Sequence, residues 1–278
     1  MFKNRKLIIA TKHQKEKVIA PYLEKELGIV CLVDPHFDTD VFGTFSGEIA
    51  RAHSPIETLR QKCLTAMQAN QCDLGVASEG SFGPHPSIPF VTADDELLIF
   101  IDLRHNIELV VRELSLATNF NAQTVHSYDE LCKFAQQAQF PSHGLILRPA
   151  PNAASDIYKG ITDNNTLINT YTKLAQAHGS VYVETDMRAQ FNPSRMEVIE
   201  QATKKLVAQL LVHCPHCQLP GFAINERILG LPCELCKLPT ASVLGYIYKC
   251  KHCNYEQVAN YPNKKEFEDP TYCNFCNP

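Results

Sequence analysis

Apolar and polar positions alternate along the first 212 residues in segments that predict strands and helices in turn. Short apolar runs typical of buried strands lie at 7–10, 29–33, 74–77, 144–147 and 181–184. Apolar residues at helical spacing predict helices near 16–26, 56–67, 127–137, 166–177 and 192–212. Extended segments at 96–103 and 107–117 add two strands, with a helix as the alternative for the second. This order predicts an α/β fold with helices on both faces of a mixed sheet.

The pattern changes at about residue 213, where prolines, short β-rich segments and paired cysteines replace the alternation. The chain then contains four Cys-x-x-Cys knuckles, formed by Cys214, Cys217, Cys233, Cys236, Cys250, Cys253, Cys273 and Cys276. Two thiolates of one tight turn reach one metal ion, and two such turns complete a tetrahedral structural zinc site. We therefore predict an α/β ligand-binding or catalytic domain at 1–212. The zinc module at 213–278 would hold two structural Zn ions in a double zinc-ribbon arrangement.

The pairing of the knuckles is left open by their spacing. Sequential pairing joins the first knuckle to the second and the third to the fourth, whereas nested pairing joins the two inner knuckles. Residues 248–276 resemble rubredoxin-like zinc knuckles, and this resemblance favours the sequential scheme. His216 and His252 lie inside knuckles, and we expect both at the surface because eight cysteines already complete two sites.

Composition and charge narrow the classes of partner. Hydrophobic residues make up 45% of the 278 residues and the net charge is -4, so the chain is not built to coat nucleic acid. No apolar stretch approaches the roughly 18 residues of a membrane span, and we expect a cytoplasmic protein without membrane contact. The zinc module carries equal numbers of basic and acidic residues, which disfavours nucleic acid. A protein partner or a homodimer formed through this module is the alternative.

A polar cluster follows the first predicted strand. Thr11, His13, Lys15 and Lys17 lie at a strand-to-helix turn, where backbone N–H groups and the helix dipole attract anions. This cluster predicts a binding site for a small anionic ligand; a solvated, lysine-rich first turn is the alternative.

The segment 78–86 after the third predicted strand is the strongest site candidate. Ligands of open α/β sheets bind beyond the carboxyl ends of strands, and glycines here let a ligand approach the backbone. Ser78 would contact the ligand, Glu79 would serve as a metal ligand or general base, and His85 would shuttle protons. A plain turn is the alternative.

Two further segments carry polar candidates. Asp186, Arg188 and Arg195 lie where the last predicted strand meets the last helix, and they suit either an anionic ligand or an internal salt-bridge network. The loop 38–51 combines carboxylates, hydroxyls and glycines, so it is either a hard-cation site for Mg²⁺ or an ordinary polar loop.

The chain resembles known families at two levels. From end to end it resembles an uncharacterised bacterial family of unknown function, with marks at 43–45, 78–86, 184–189, 192–193 and 273–278. The first 80 residues or so resemble the pyrophosphatases that hydrolyse inosine and xanthosine triphosphates, in the order and spacing of Thr11, Glu57, Lys62 and Glu79. The second resemblance implies that Glu79 and Glu57 bind Mg²⁺ and that Thr11, Lys15, Lys17 and Lys62 hold phosphates.

The leading expectation is a zinc-binding protein that is also a Mg-dependent hydrolase of a nucleotide or phosphoanhydride. One alternative is a non-enzymatic sensor of an anionic ligand whose zinc ribbon contacts a protein. The other is a zinc-ribbon protein associated with nucleic acid.

Overall fold

The computed structural model describes residues 1–37 and 54–278, which divide into two compact units. The first unit comprises residues 1–207 and the second comprises residues 208–278. The first contains two β-sheets, and the second contains a three-stranded sheet together with all eight knuckle cysteines.

The larger sheet of the first unit is formed by β1 (Lys6–Ala10), β2 (Val30–Leu32), β3 (Leu74–His85), β4 (Ile88–Asp102) and β5 (Ile107–Ser115). Its strand order is β2-β1-β3-β4-β5. β1 runs parallel to both of its neighbours, whereas the β3–β4 and β4–β5 pairs are antiparallel. The predicted mixed sheet is therefore confirmed.

The described residues form five α-helices, which are α1 (Glu16–Leu27), α2 (Pro55–Ala69), α3 (Tyr128–Gln137), α4 (Asn164–His178) and α5 (Pro193–Leu211). None of the helices within the described ranges has the length and apolar character that crossing a membrane requires.

Helix α2 covers one face of the five-stranded sheet. Its inward side chains share one apolar cluster with alternate residues of β1, β3 and β4, a cluster that includes Ile8, Ala10, Leu59, Cys63, Ala66, Met67, Ala77 and Ile99. Neighbouring strand residues point to opposite faces. Ser78 and Glu96, one and three residues from members of this cluster, therefore face away from α2.

Helices α1 and α5 lie on that opposite face. Lys15, the residue before α1, donates a hydrogen bond to the Ser78 side chain, and Arg195 in the first turn of α5 donates one to Glu96. Helices therefore cover both faces of the sheet, as the sequence predicts. Helix α1 follows β1 on one face of the sheet, and α2 precedes β3 on the other face. The switch between the two faces therefore lies between the neighbouring strands β1 and β3.

A second sheet in the first unit was not predicted. It is formed by β6 (Ala122–Val125), β7 (Leu145–Arg148), β8 (Tyr158–Ile161) and β9 (Val181–Thr185) in the order β6-β9-β7-β8, with antiparallel neighbours throughout. Residues of α3 and α4 pack on it around Leu131, Phe134, Leu167 and Leu174. The two predicted strands at 144–147 and 181–184 belong to this sheet.

The second unit contains β10 (Ala223–Leu229), β11 (Val243–Lys249) and β12 (Glu256–Asn260), which form an antiparallel sheet in this order. The β10–β11 register pairs Ala223 with Lys249 at one end and Leu229 with Val243 at the other. This register decides which knuckles meet.

Candidate metal centres and candidate active site

The eight knuckle cysteines form two groups of four. Cys214, Cys217, Cys250 and Cys253 make one group, and Cys233, Cys236, Cys273 and Cys276 make the other; within each group the sulfur atoms lie within 4.8 Å of one another. Sulfur atoms from different knuckles are separated by 3.6 to 3.8 Å. A tetrahedral zinc ion with Zn–S bonds of about 2.3 Å separates its ligands by about 3.8 Å, so both groups fit zinc.

The pairing is interleaved, and both the sequential and the nested schemes are wrong. The first knuckle joins the third and the second joins the fourth. An antiparallel hairpin brings the residues before β10 beside those after β11, because Ala223 pairs with Lys249. The second knuckle follows the other end of β10, a seven-residue strand about 23 Å long. Sequential pairing would require the knuckles at the two ends of that strand to bind the same ion, which its length excludes.

The surroundings of the two centres differ. Phe222 and Tyr248 pack against the cysteines of the first centre, where they form a small apolar cluster. At the second centre, the backbone of Cys233 pairs with that of Glu268, a residue that precedes the fourth knuckle. His216 and His252 are exposed, as predicted for residues outside the ligand sets. Since four sulfurs complete each site, neither centre offers an open position for a substrate.

Four of the predicted site residues, Lys15, Lys62, Ser78 and Glu79, come together at the carboxyl end of β1, beside the middle of β3. The Lys15 ammonium donates a hydrogen bond to Ser78 Oγ over 2.9 Å. The Lys62 ammonium donates to the Ser78 carbonyl oxygen over 2.9 Å and to Glu79 Oε2 over 2.8 Å. Lys15 comes from the α1 side of the sheet and Lys62 from α2, so the two cations approach β3 from opposite faces.

Thr11 borders the same cluster. Ala10 of β1 pairs with Ala77 of β3, so Thr11 follows directly beside Ser78. Its hydroxyl is buried and has no hydrogen-bond partner among the residues that the structure describes. A buried polar atom without a partner costs free energy, which a bound ligand or water would recover.

A buried ion pair continues the cluster along β4. Arg195 Nε donates to Glu96 Oε1 over 2.6 Å, and both side chains are buried. Within residues 1–37 and 54–278, the second oxygen of Glu96 and Oδ1 of the buried Asp94 have no hydrogen-bond partner. The register places Asp94 opposite Phe82 and Glu96 opposite Gly80.

This environment shifts two pKa values toward neutrality. Burial lowers the pKa of Lys15 to about 7, and the positive charge of Arg195 contributes to the decrease. Burial raises the pKa of Asp94 to about 8, and the negative charge of Glu96 adds to the increase. An amine and a carboxyl that titrate near neutral pH are suited to acid–base chemistry.

Other residues of the first predicted cluster lie at its periphery. His13 is half-buried, whereas Lys17 is exposed and donates a hydrogen bond to the Gln14 side chain over 2.6 Å. Lys17 therefore behaves as a solvated residue of the first turn, which was the alternative reading of this segment.

Two predicted catalytic residues have local roles in the chain. Glu57 is exposed and completes the capping box of α2 by accepting a hydrogen bond from the Ser54 backbone N–H. His85 is the last residue of β3, next to the turn that leads to β4, and its Nδ1 accepts hydrogen bonds from the N–H groups of Ser87 and Ile88 over 3.1 Å. The contacts of both side chains are those of turn and cap residues, so their catalytic roles remain predictions.

Asp186 and Arg188 form the internal salt bridge that the sequence offered as an alternative to ligand binding. Arg188 donates to both carboxylate oxygens of the buried Asp186, and the Gly160 N–H donates to Oδ2 over 3.0 Å. Arg188 also lies over the ring of Phe191 at 4.5 Å. The predicted cation loop at 38–51 lies outside the described residues.

The sequence interpretation missed Asp94 and Glu96 as site residues because it ended the third strand at Ala77 and treated 78–86 as a ligand-binding segment, with a plain turn as the alternative. β3 instead continues to His85 and pairs with β4 from Ile88 onward. A signal was present, since period-two alternation places Asp94 and Glu96 on the same strand face as the buried Leu98 and Phe100. Carboxylates at core-facing positions of a strand indicate a paired or functional charge.

Comparison with known proteins supports the resemblance to an uncharacterised family over residues 62–278. Residues 62–278, more than three quarters of the chain, match a family described as a domain of unknown function (DUF6671). The matched range includes β3, β4 and both cysteine groups. A search of curated proteins finds no match. The chain belongs to the DUF6671 family of domains of unknown function.

Proposed function

We propose that this zinc-binding protein is a hydrolase of a nucleotide or another phosphoanhydride, with its catalytic site at the carboxyl end of β1, beside Ser78 and Glu79 of β3. The observation that carries the proposal is that Lys15 and Lys62 both donate hydrogen bonds to the short segment of β3 that contains Glu79. The two zinc ions would stabilise the second unit, which is too small to bury a large core.

The position of the cluster supports this proposal. In the strand order β2-β1-β3, the connection from β1 leads to the strand on one side of β1, and the next connection leads to the strand on its other side. Open α/β sheets bind ligands at such a switch point, beyond the carboxyl ends of the strands. The start of α1 also lies there, and the positive end of its helix dipole favours a phosphate.

The charges of the cluster are suited to a phosphoanhydride. Lys15 and Lys62 would contact phosphate oxygens. Lys62 also holds the Glu79 carboxylate, and 15% of the Glu79 side chain is exposed to solvent. Among the described residues, only cysteines form groups of three or more close metal ligands. Magnesium would therefore be shared between Glu79 and the phosphates of the ligand, an arrangement that is common for this ion. Bound there, it would supply an activated water molecule.

The experiment measures release of phosphate and pyrophosphate from a panel of nucleoside triphosphates by the full-length, zinc-loaded protein with Mg²⁺. We expect turnover of at least one nucleotide and a decrease of about 100-fold in kcat/KM for Lys62→Met. The control is Lys25→Met, because the Lys25 side chain is 80% exposed in the last turn of α1. Absence of turnover across the panel by the folded protein would refute the proposal.

A non-enzymatic sensor is the second candidate. The pairs Lys62–Glu79 and Arg195–Glu96 already neutralise two of the cations internally. This favours a site that exchanges ion-pair partners when an anion binds. A nucleotide that raises the melting temperature without being hydrolysed would support the sensor.

A further inference from the structure

A serine and a histidine are hydrogen-bonded at the beginning of α5. Ser194 is the second residue of the helix, and its Oγ lies 2.9 Å from His143 Nε2. The Ser194 backbone N–H also points to Nε2, over a longer distance of 3.3 Å. His143 is 4% exposed, so its ring orientation is fixed by packing.

The hydrogen bonds around the imidazole define its tautomer. Ser142 donates its hydroxyl proton to the Gln139 carbonyl oxygen over 2.6 Å. Its oxygen is therefore left to accept a hydrogen bond from His143 Nδ1, which lies 3.1 Å away. With the proton on Nδ1, Nε2 is the acceptor and Ser194 the donor. A serine nucleophile requires this tautomer in its general base.

The protonation state of His143 agrees with this arrangement. Burial lowers the pKa of the imidazole, and the nearby Glu197 carboxylate offsets only part of the decrease. The neutral ring is therefore the main form at neutral pH, and it can accept a proton.

Ser194 lines a cavity of about 370 Å³ between the end of β5 and the first turns of α5. Leu116 and Val198 give this cavity an apolar wall, and Glu113 and Glu197 add carboxylates. A cavity of this size holds a small organic molecule. The carboxylates disfavour an anionic substrate, which separates this site from the phosphate chemistry proposed at β3.

We propose that Ser194, with His143 as general base and Ser142 as a positioning residue, is the nucleophile of a second catalytic site that hydrolyses small uncharged or cationic esters. Ser194 Oγ attacks the ester carbonyl carbon and transfers its proton to His143 Nε2. The bond to the leaving alkoxide breaks, and His143 returns the proton to release an alcohol. Water then cleaves the acyl-serine by the same proton route and releases a carboxylic acid, so nothing is oxidised or reduced.

The start of α5 assists this reaction electrostatically. The positive end of the helix dipole lies at Ser194, where the tetrahedral intermediate would carry its negative charge. The same serine and histidine could also serve only to cap the helix, since the Ser194 N–H is within reach of Nε2. A capping role predicts no covalent chemistry, and this difference provides the test.

The experiment treats the full-length, zinc-loaded protein with an uncharged fluorophosphonate and locates the adduct by mass spectrometry of peptides. We expect one adduct per chain on Ser194 and none on Ser127, which begins α3 and accepts a hydrogen bond from the Glu130 N–H instead of facing an imidazole. Ser194→Ala should abolish labelling and leave nucleotide hydrolysis unchanged. The two proposals can therefore fail independently.

Two variants test the role of the imidazole. His143→Gln should slow labelling at least about 100-fold, which is the loss expected when a general base is removed. If His143→Gln does not fold, Ser142→Ala is the second variant. It keeps the imidazole but removes the acceptor of its Nδ1 proton, so we expect a smaller decrease in the labelling rate. An unlabelled Ser194 in the folded wild-type protein, or labelling that the Ser142 and His143 variants leave unchanged, would overturn the proposal.

Discussion

The substitution Gly80→Ala tests whether the buried Glu96–Arg195 pair is held tightly against β3. A Cβ atom on Gly80 would lie 2.2 Å from Glu96 Oε1 and 2.3 Å from Arg195 Nη2. Ordinary contacts of this kind begin at about 3.5 Å, so the ion pair must move. Both side chains are long, but they are 0% and 4% exposed, and the surrounding packing resists the movement.

The magnitude follows from two bounds. Overpacking a well-packed interior costs about 1–3 kcal/mol, and breaking a buried ion pair costs about 3–5 kcal/mol. Because the methyl group displaces the pair without removing a partner, we expect a loss of about 2–3 kcal/mol. Gly83→Ala is the matched control, since its Cβ would meet nothing within 4 Å on the same strand. We expect this variant to stay within about 0.5 kcal/mol of the wild type.

The assay is urea unfolding followed by far-UV circular dichroism, because the chain contains no tryptophan. With a slope of about 2 kcal/mol per molar urea, Gly80→Ala should lower the unfolding midpoint by about 1 M relative to Gly83→Ala. If the two variants unfold within 0.3 M of each other, the Glu96–Arg195 pair is not packed against Gly80 as described.

Two further predictions concern titration and helix capping. Because Asp94 has a folded-state pKa of about 8, well above its unfolded value, the folded state holds its proton and stability decreases as pH rises. Between pH 5 and 6, below its folded-state pKa of about 7, Lys15 is charged in both states. Asp94→Asn should therefore remove a slope of up to about 1.4 kcal/mol per pH unit, and exposed Asp129→Asn should not. Urea midpoints at pH 5 and pH 6 measure this, and equal slopes in the wild type and Asp94→Asn would contradict it. Ser54→Ala should cost about 1 kcal/mol through loss of the α2 capping box, whereas Thr65→Ala on the exposed face of α2 should not destabilise; equal midpoints for the two would argue against the cap.

The zinc ligands were predictable from local spacing, but their partners were not. A Cys-x-x-Cys turn brings its own two thiols together whatever the remaining fold. Which turns share an ion depends on the register of β10 with β11, a long-range property that the spacing of the knuckles does not contain. The rubredoxin-like resemblance of 248–276 suggested a pairing that this hairpin excludes.

The larger unit shows a similar division between local and long-range information. Lys15, Ser78 and Glu79 were predicted because they follow predicted strands of an α/β sheet, and Lys62 was predicted from the resemblance to the triphosphate pyrophosphatases. The extension of β3 was not found, because glycine and proline in 80–86 are typical of a turn. Pairing with β4 overrides that local preference, and it brings Glu96 opposite Gly80.

The Ser194–His143 pair had no local signature at all. The two residues are 51 positions apart, and the nucleophile elbow that marks many serine hydrolases is absent from this sequence. The fold brings the loop before β7 beside the start of α5, and only that tertiary contact creates the pair.

Zinc content of paired cysteine variants tests the interleaved centres most directly. Wild-type protein should bind two zinc ions. Cys217→Ser with Cys253→Ser removes ligands from one centre and should leave one ion, whereas Cys217→Ser with Cys236→Ser damages both centres and should leave none. Sequential pairing predicts the reverse result for these two variants, and nested pairing predicts loss of both ions in each. Retention of one zinc ion by Cys217→Ser with Cys236→Ser would contradict the interleaved arrangement.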